Sequence, residues 1–251
     1  MAVGYITEQN DLIARGLVRG ASHINKFGFN DQIPTTFEVI AIGSANFTYP
    51  TTAGVVTVTS DEGADDLAST GARTVKLEGL DGNYNQVSVT VDMDGTNNVV
   101  TTQTFLRLFR MSVETAGSTG GAEGTITATI GGNEMGRINP NFDNQSLQAN
   151  YTIPAGKIGL LKRMQATSTK DNKSAMVGLF TKEPGGVFKV KQLIEVYRNS
   201  VVVDFPIPLI IPEKTDIELQ GKNLNSGNVS IGGTFDLILL DNPRTMYVGN
   251  N

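Results

Sequence analysis

The chain has 251 residues, with 20 Lys and Arg against 25 Asp and Glu, one His, no Cys and no Trp. Without cysteine there is no disulfide framework, thiol nucleophile, iron–sulfur cluster or thiolate zinc site, and a single imidazole rules out His-rich metal sites. A net charge of −5 gives no general attraction to nucleic acid or an anionic membrane, and no apolar run approaches the roughly 20 residues that span a bilayer.

The first residues, MAVGYITEQNDLIARGLVRG, lack a basic region followed by an apolar one, so synthesis in a cytoplasm is expected. The spacing predicts a short helix over Thr7 to Leu17, with Thr7 as N-cap and Gly16 and Gly20 limiting its length. Residues 1–35 as a whole have no sustained period. Their apolar members Leu12, Ile13, Leu17, Val18, Ile24, Phe27 and Phe29 are too many for a solvated tail and too irregular for a self-sufficient core. This stretch is expected to be an arm that docks on another surface, either of its own domain or of another subunit.

Residues 36–132 are strand-like. Val87, Val89, Val91 and Met93 alternate with Ser88, Thr90 and Asp92, and Ile126, Ala128 and Ile130 alternate with threonines, the period of a strand with one buried face. Val55 to Thr59 and Thr74 to Glu78 are shorter β-branched runs, and Asp81-Gly82 and Asp94-Gly95 supply reversals. Residues 133–146, NEMGRINPNFDNQS, have no period and are expected to be a linker.

A second β unit is expected over 147–244, followed by a C-terminal tail at 245–251. Val229, Ile231, Gly233, Phe235, Leu237 and Leu239 occupy alternate positions, and Gly232-Gly233 suggests a bulge or bend there. Strands are also expected over Ile158 to Met164, Ala175 to Phe180, Val187 to Val196, Val201 to Ile211 and Asp216 to Gln220. Pro206, Pro208 and Pro212 cannot donate ladder hydrogen bonds, which places their strand at a sheet edge. The fold class is therefore all-β, an N-terminal arm followed by two β-sandwich or jelly-roll-like domains. Residues 36–132 carry 4 basic and 11 acidic groups, net −7, whereas 147–251 carry 12 and 9, net +3. Such an asymmetry suits stacking between copies.

Candidate chemistry is sparse, and neither a cofactor nor a bound metal is expected. His23 lies in the arm without an orienting acid nearby in sequence. Asp92-Met-Asp94-Gly95-Thr96-Asn97-Asn98 fails the EF-hand pattern, because Gly95 falls fourth and Gln103 twelfth. Asp61, Glu62, Asp65 and Asp66 could hold a hard cation but suit an exposed acidic loop better. The glycine-rich run 117–124 lacks a Lys-Ser/Thr ending and leads into a strand, which fits a turn and not a phosphate cradle. Arg107 and Arg110 beside Phe105 and Phe109 have the ingredients of a single-strand contact, opposed by the acidity of their unit. Asp81, Asp92 and Asp94 could supply a hydrolase's carboxylate pair but lie on turns. The expectation is a protein that is not an enzyme and does not bind nucleic acid or membrane.

The segment from GARTVKLEGLDGNYNQVSVTVDMDG to GTITATIGG resembles virion structural proteins of tailed bacteriophages, of cyanophage and other aquatic-phage types. So do IARGLVRGASHINKFGFN, YTIPAGKIGLLKRM, EPGGVFKVKQ and PLIIPEKTDIELQ, so the similarity covers most of residues 12–242. It implies a non-enzymatic building block of the virion. A homotrimer that covers its sheet edges is the expected form, anchored by the arm on a major capsid, neck or baseplate protein. Capsid decoration, cement or spike is one placing; collar, neck or baseplate of the tail is another. A host-surface glycan held by loops 61–70 or 117–124 is a third reading.

Overall fold

Alternation decides where most strands form. In a computed structural model describing residues 9–43, 46–140, 143–168 and 173–242, the period-2 runs become strands with one buried face. The all-β fold class holds. In β3 (Gly54–Ser60), Val56 and Val58 are buried; in β8 (Ile126–Ile130), Ile126, Ala128 and Ile130 are. These pair antiparallel with each other, with β6 (Val99–Phe105) and with β9 (Asn133–Ile138), in the order β6-β3-β8-β9. Against them lies a three-stranded sheet, β5 (Gln86–Asp92), β4 (Ala72–Leu80) and β7 (Arg107–Ala116). Between the two sheets sits a core that includes Val58, Leu77, Phe105, Met111 and Ile138.

The second sandwich pairs two larger sheets. One runs β1 (Ala21–Ile33), β16 (Val229–Asp241), β11 (Lys157–Ser168), β14 (Ser200–Ile211); the other runs β10 (Asn150–Thr152), β15 (Asp216–Asn223), β12 (Ser174–Lys182), β13 (Lys189–Tyr197), with β2 (Glu38–Val39) added on β15. Val229, Ile231, Phe235, Leu237 and Leu239 of β16 all face the core, each large side chain contributing about 1.5–3 kcal/mol on burial. The proline-bearing strand β14 is an edge, as expected. Register on β11 passes from Leu161↔Leu209 to Arg163↔Asp204, so Pro206 and Pro208 fall in an unpaired bulge.

Two boundaries and one expected bulge differ from the sequence reading. Residues 21–33 of the expected arm are β1, paired with β16 from Ala21↔Leu240 to Ile33↔Val229. Residues 133–138 of the expected linker are β9, joined to β8 by Gly131-Gly132, both at positive φ as a two-residue hairpin requires. Gly232-Gly233 is not a bulge, since both residues keep register with β1 and β11. Their role is close approach: a Cβ on Gly233 would lie 2.9 Å from Leu219 Cδ1 and 3.0 Å from Ile40 Cδ1.

The helix is α1 (Gln9–Ala14), which buries Ile13. Leu17 N–H donates to the Leu12 carbonyl (2.8 Å) and Gly16 N–H to that of Ile13 (2.9 Å), with Gly16 at φ +69°, a Schellman stop. The expected N-cap Thr7, the first eight residues of the arm and the tail at 245–251 lie outside the described residues.

The consequence is an insertion. The chain builds β1 and β2 of the larger sandwich, leaves to make the smaller one, and returns at β10. The outgoing and returning segments pair with each other, through the Ala41↔Gln148 bridge and Ala149 N–H to the Ile40 carbonyl at 3.0 Å.

Candidate assembly surface and inter-sandwich seam

The seven expected docking residues do not converge on one face. Ile13 is buried in α1 and Leu12 half-buried, Leu17 is 59% exposed, and Val18 is half-buried. Within β1, Ile24 packs on the core of the larger sandwich. Phe27 and Phe29 point to the opposite side by strand alternation, with the Arg110 guanidinium 5.1 Å from the Phe27 ring centre. The three β1 residues are part of the sandwich because the strand they belong to completes a sheet.

A more extensive exposed apolar set lies at the far side of the larger sandwich, on a signal the sequence contained only as prolines. There β13 and β14 are the edge strands of facing sheets. Val190, Leu193 and Tyr197 of β13 and Val202, Ile207 and Ile210 of β14 are exposed, Ile207 by 86% and Ile210 by 70%. Two open edges with exposed large apolar side chains are what neighbouring chains cover.

The seam between the sandwiches is polar and buried. Arg107 of β7 meets Asp216 of β15 in a bidentate pair, Nε to Oδ1 at 2.8 Å and Nη2 to Oδ2 at 3.0 Å, with side chains 7% and 2% exposed. Nη1 donates to the Pro50 and Leu106 carbonyls, Thr152 Oγ1 donates to Asp216 Oδ1, and the guanidinium lies 4.7 Å from the Tyr49 ring centre. The Tyr49 hydroxyl donates to Glu218 Oε1 at 2.7 Å. Burial pushes the Glu218 carboxyl above its ordinary pKa. Burial also opposes the charge on Arg107, but the Asp216 hydrogen bonds and charge outweigh it and hold its pKa above the ordinary value. Of the sequence's candidate single-strand contact, Arg107, Phe105 and Phe109 are thus occupied in the interior, and Arg110 is half-buried with its guanidinium over the Phe27 ring.

The acidic loop is likewise spent on structure. Asp65 is fully buried and accepts from Ser60 Oγ (2.6 Å), Ala72 N (2.8 Å), Glu123 N (2.9 Å) and Gly124 N (2.9 Å), which stitches loop 61–71 to the glycine-rich turn. Thr70 Oγ1 adds a bond to Glu123 Oε1 at 2.6 Å. Asp81 accepts from the Asn83 and Asn85 amides in its turn. Among the described residues no three His, Asp or Glu side chains converge as a metal would require.

One group was missed entirely. Lys26 of β1 is 5% exposed, donates from Nζ to the Phe109 carbonyl at 2.9 Å, and lies 5.0 and 5.5 Å from the Phe109 and Tyr151 ring centres. It borders a cavity of about 410 Å³ between the sandwiches. Burial, and then the charge of Arg110, lower its pKa from 10.5 to about 7, partly offset by Glu78. The unfolded chain therefore holds a proton between about pH 7 and 10.5 that the folded chain has released, so this group makes stability rise with pH across that window. Sequence reading passed over Lys26 because one lysine between polar and aromatic residues looks like a solvated position.

No protein-family model matches the sequence, and no curated protein matches it. Among solved structures, the chain is similar to that of infectious bursal disease virus Gt strain at 11% identity and TM-score 0.22, covering 88% of this chain and 72% of that one. It is similar to the T13 IBDV viral particle at 9% identity and TM-score 0.26, covering 87% and 69%. The STIV MCP is similar at 10% identity and TM-score 0.23, covering 90% and 100%. At these scores the chain paths do not superpose as wholes, and no property is carried over from them.

Proposed function

We propose that the chain is a non-enzymatic structural component of a tailed-phage virion, an accessory protein of the capsid surface that works as a homotrimer. The sequence resemblance motivates the virion role. The observation that carries the assembly role is the side of the larger sandwich where β13 and β14 are both open edges and bear Val190, Leu193, Tyr197, Val202, Ile207 and Ile210 in solvent. A heterologous contact, the β13 edge of one copy against the β14 edge of the next, closes into a ring when the rotation is a third of a turn, and a contact of about 800 Å² per partner suffices for specificity. The smaller sandwich, inserted at the opposite side next to β1 and β10, would then project outward or face the major capsid, neck or baseplate protein. Of the carboxylates that could form a hydrolase pair, Asp81 is engaged by its own turn, which supports the non-enzymatic reading.

Sedimentation of the purified protein at micromolar concentration tests this. The expected species has about three times the 26.8 kDa chain mass, and Ile207→Asp with Ile210→Asp reduces it to monomer without altering the far-UV circular dichroism. A stable wild-type monomer contradicts self-association, and a stable dimer contradicts the closed trimer.

A further inference from the structure

We propose that the cavity bordered by Lys26, Glu78, Gln86, Ser88 and Arg110 binds an acidic monosaccharide unit, with the sugar carboxylate on the Lys26 ammonium. The inference goes beyond the virion role and does not rest on it. At about 410 Å³ the cavity lies within the range of small-molecule pockets. Lys26 offers three donors, of which the Phe109 carbonyl takes one, and its two flanking rings compensate the charge only in part.

The groups that line the cavity with Lys26 define the ligand. From β1 come His23 and Asn25, held by Asp236 at 3.1 and 2.8 Å; from β4, Glu78, itself paired with Lys76 at 3.1 Å; from β5, Gln86 and Ser88; from β7, Arg110 and the Phe109 carbonyl and ring; from β10, Tyr151. Once Lys26 is protonated, Lys26, Arg110 and Lys76 against Glu78 and Asp236 leave one positive charge, which matches a monoanion and disfavours a phosphate dianion. A carboxylate acceptor, a hydroxyl and amides around the rim suit several sugar hydroxyls at once, while the Phe109 and Tyr151 rings give the wall an apolar part. An arriving carboxylate restores the charged form of Lys26, so binding takes up a proton.

Isothermal titration of the full chain at pH 7.5, in two buffers of different ionisation enthalpy, tests this with D-glucuronate and N-acetylneuraminate, and with D-glucose and acetate as controls. Burial holds the Lys26 pKa down at about 7, so a net uptake of protons on binding is expected at that pH. Glucose and acetate are expected to bind at least about tenfold more weakly, a difference of ~1.4 kcal/mol. Lys26→Met abolishes both the binding and the proton uptake, and Ser88→Ala, at an exposed position, weakens binding with Lys26 intact. Equal binding of a methyl glycoside of the acid identifies a glycan terminus as the source, and binding of the free acid alone identifies a soluble sugar. No binding of either acid to millimolar concentration, glucose or acetate binding equally well, or unchanged binding by Lys26→Met overturns the proposal.

Discussion

Arg107→Ala is expected to lower stability by ~3 kcal/mol in urea titration, because it leaves the buried Asp216 carboxylate with the Thr152 hydroxyl and the partly exposed Lys182 ammonium 3.5 Å away as its remaining partners. Arg107 belongs to the inserted sandwich and Asp216 to the larger one, so the loss falls on the coupling between them. Unfolding should therefore divide into two transitions, where the native seam gives one. An exposed pair makes the comparison quantitative. Arg163 and Asp204 are closer together, at 2.6 Å, but 52% and 59% exposed, and Arg163→Ala should change stability by less than ~1 kcal/mol. Burial, not proximity, sets the difference. Equal effects of the two substitutions would show that the seam is wet and that the ion pair does not couple the sandwiches.

Gly28→Ala is the second large effect expected, at more than ~4 kcal/mol or with loss of soluble protein. Gly28 lies in β1 opposite Gly233, and an added Cβ would fall far inside van der Waals contact with the Ile40 carbonyl oxygen and 2.5 Å from Ala149 N. Those two atoms belong to the hydrogen bond that ties the outgoing segment to the returning one, so the methyl group would wedge the crossing open. Backbone cannot move aside there as a flexible side chain could. Gly63→Ala is the control, with nothing within 4 Å of its Cβ, and should fall within ~0.5 kcal/mol of the native protein. A tolerated Gly28→Ala would return residues 21–33 to the status of a loosely attached arm.

The reason those residues read as an arm lies in the strand itself. The inward positions of β1 are Ile24, Lys26, Gly28 and Asn30, and its phenylalanines face the other way, so the apolar alternation that marks β16 is inverted. Buried polar groups on such a face are satisfied by partners outside the strand: Asn30 Nδ2 donates to the Val39 carbonyl and Lys26 to that of Phe109, 83 residues on. β9 was hidden differently, since a bulge opposite Ala128 and Thr129 breaks the period that Met135 and Ile138 would otherwise set. The strands β5 and β8 and most of β16 were legible because they alternate, and the proline edge was legible because proline has no N–H to give. The insertion was not legible, because it depends on β1 finding β16 some 200 residues later, which no local spacing encodes. Of the candidate site, the arm residues were over-read, and Arg107 was noticed for a role that its burial excludes.

The account turns on the open side of the larger sandwich meeting another copy of itself. Cross-linking an equimolar mixture of ¹⁴N and ¹⁵N protein tests this directly, because mixed-isotope products can arise only between chains. Lys189 and Lys191 of β13 are exposed beside the edge, and the mixed-isotope links are expected to concentrate there and to vanish in the Ile207→Asp, Ile210→Asp variant. Links confined within single chains, or interchain links placed only on the inserted sandwich, would contradict it.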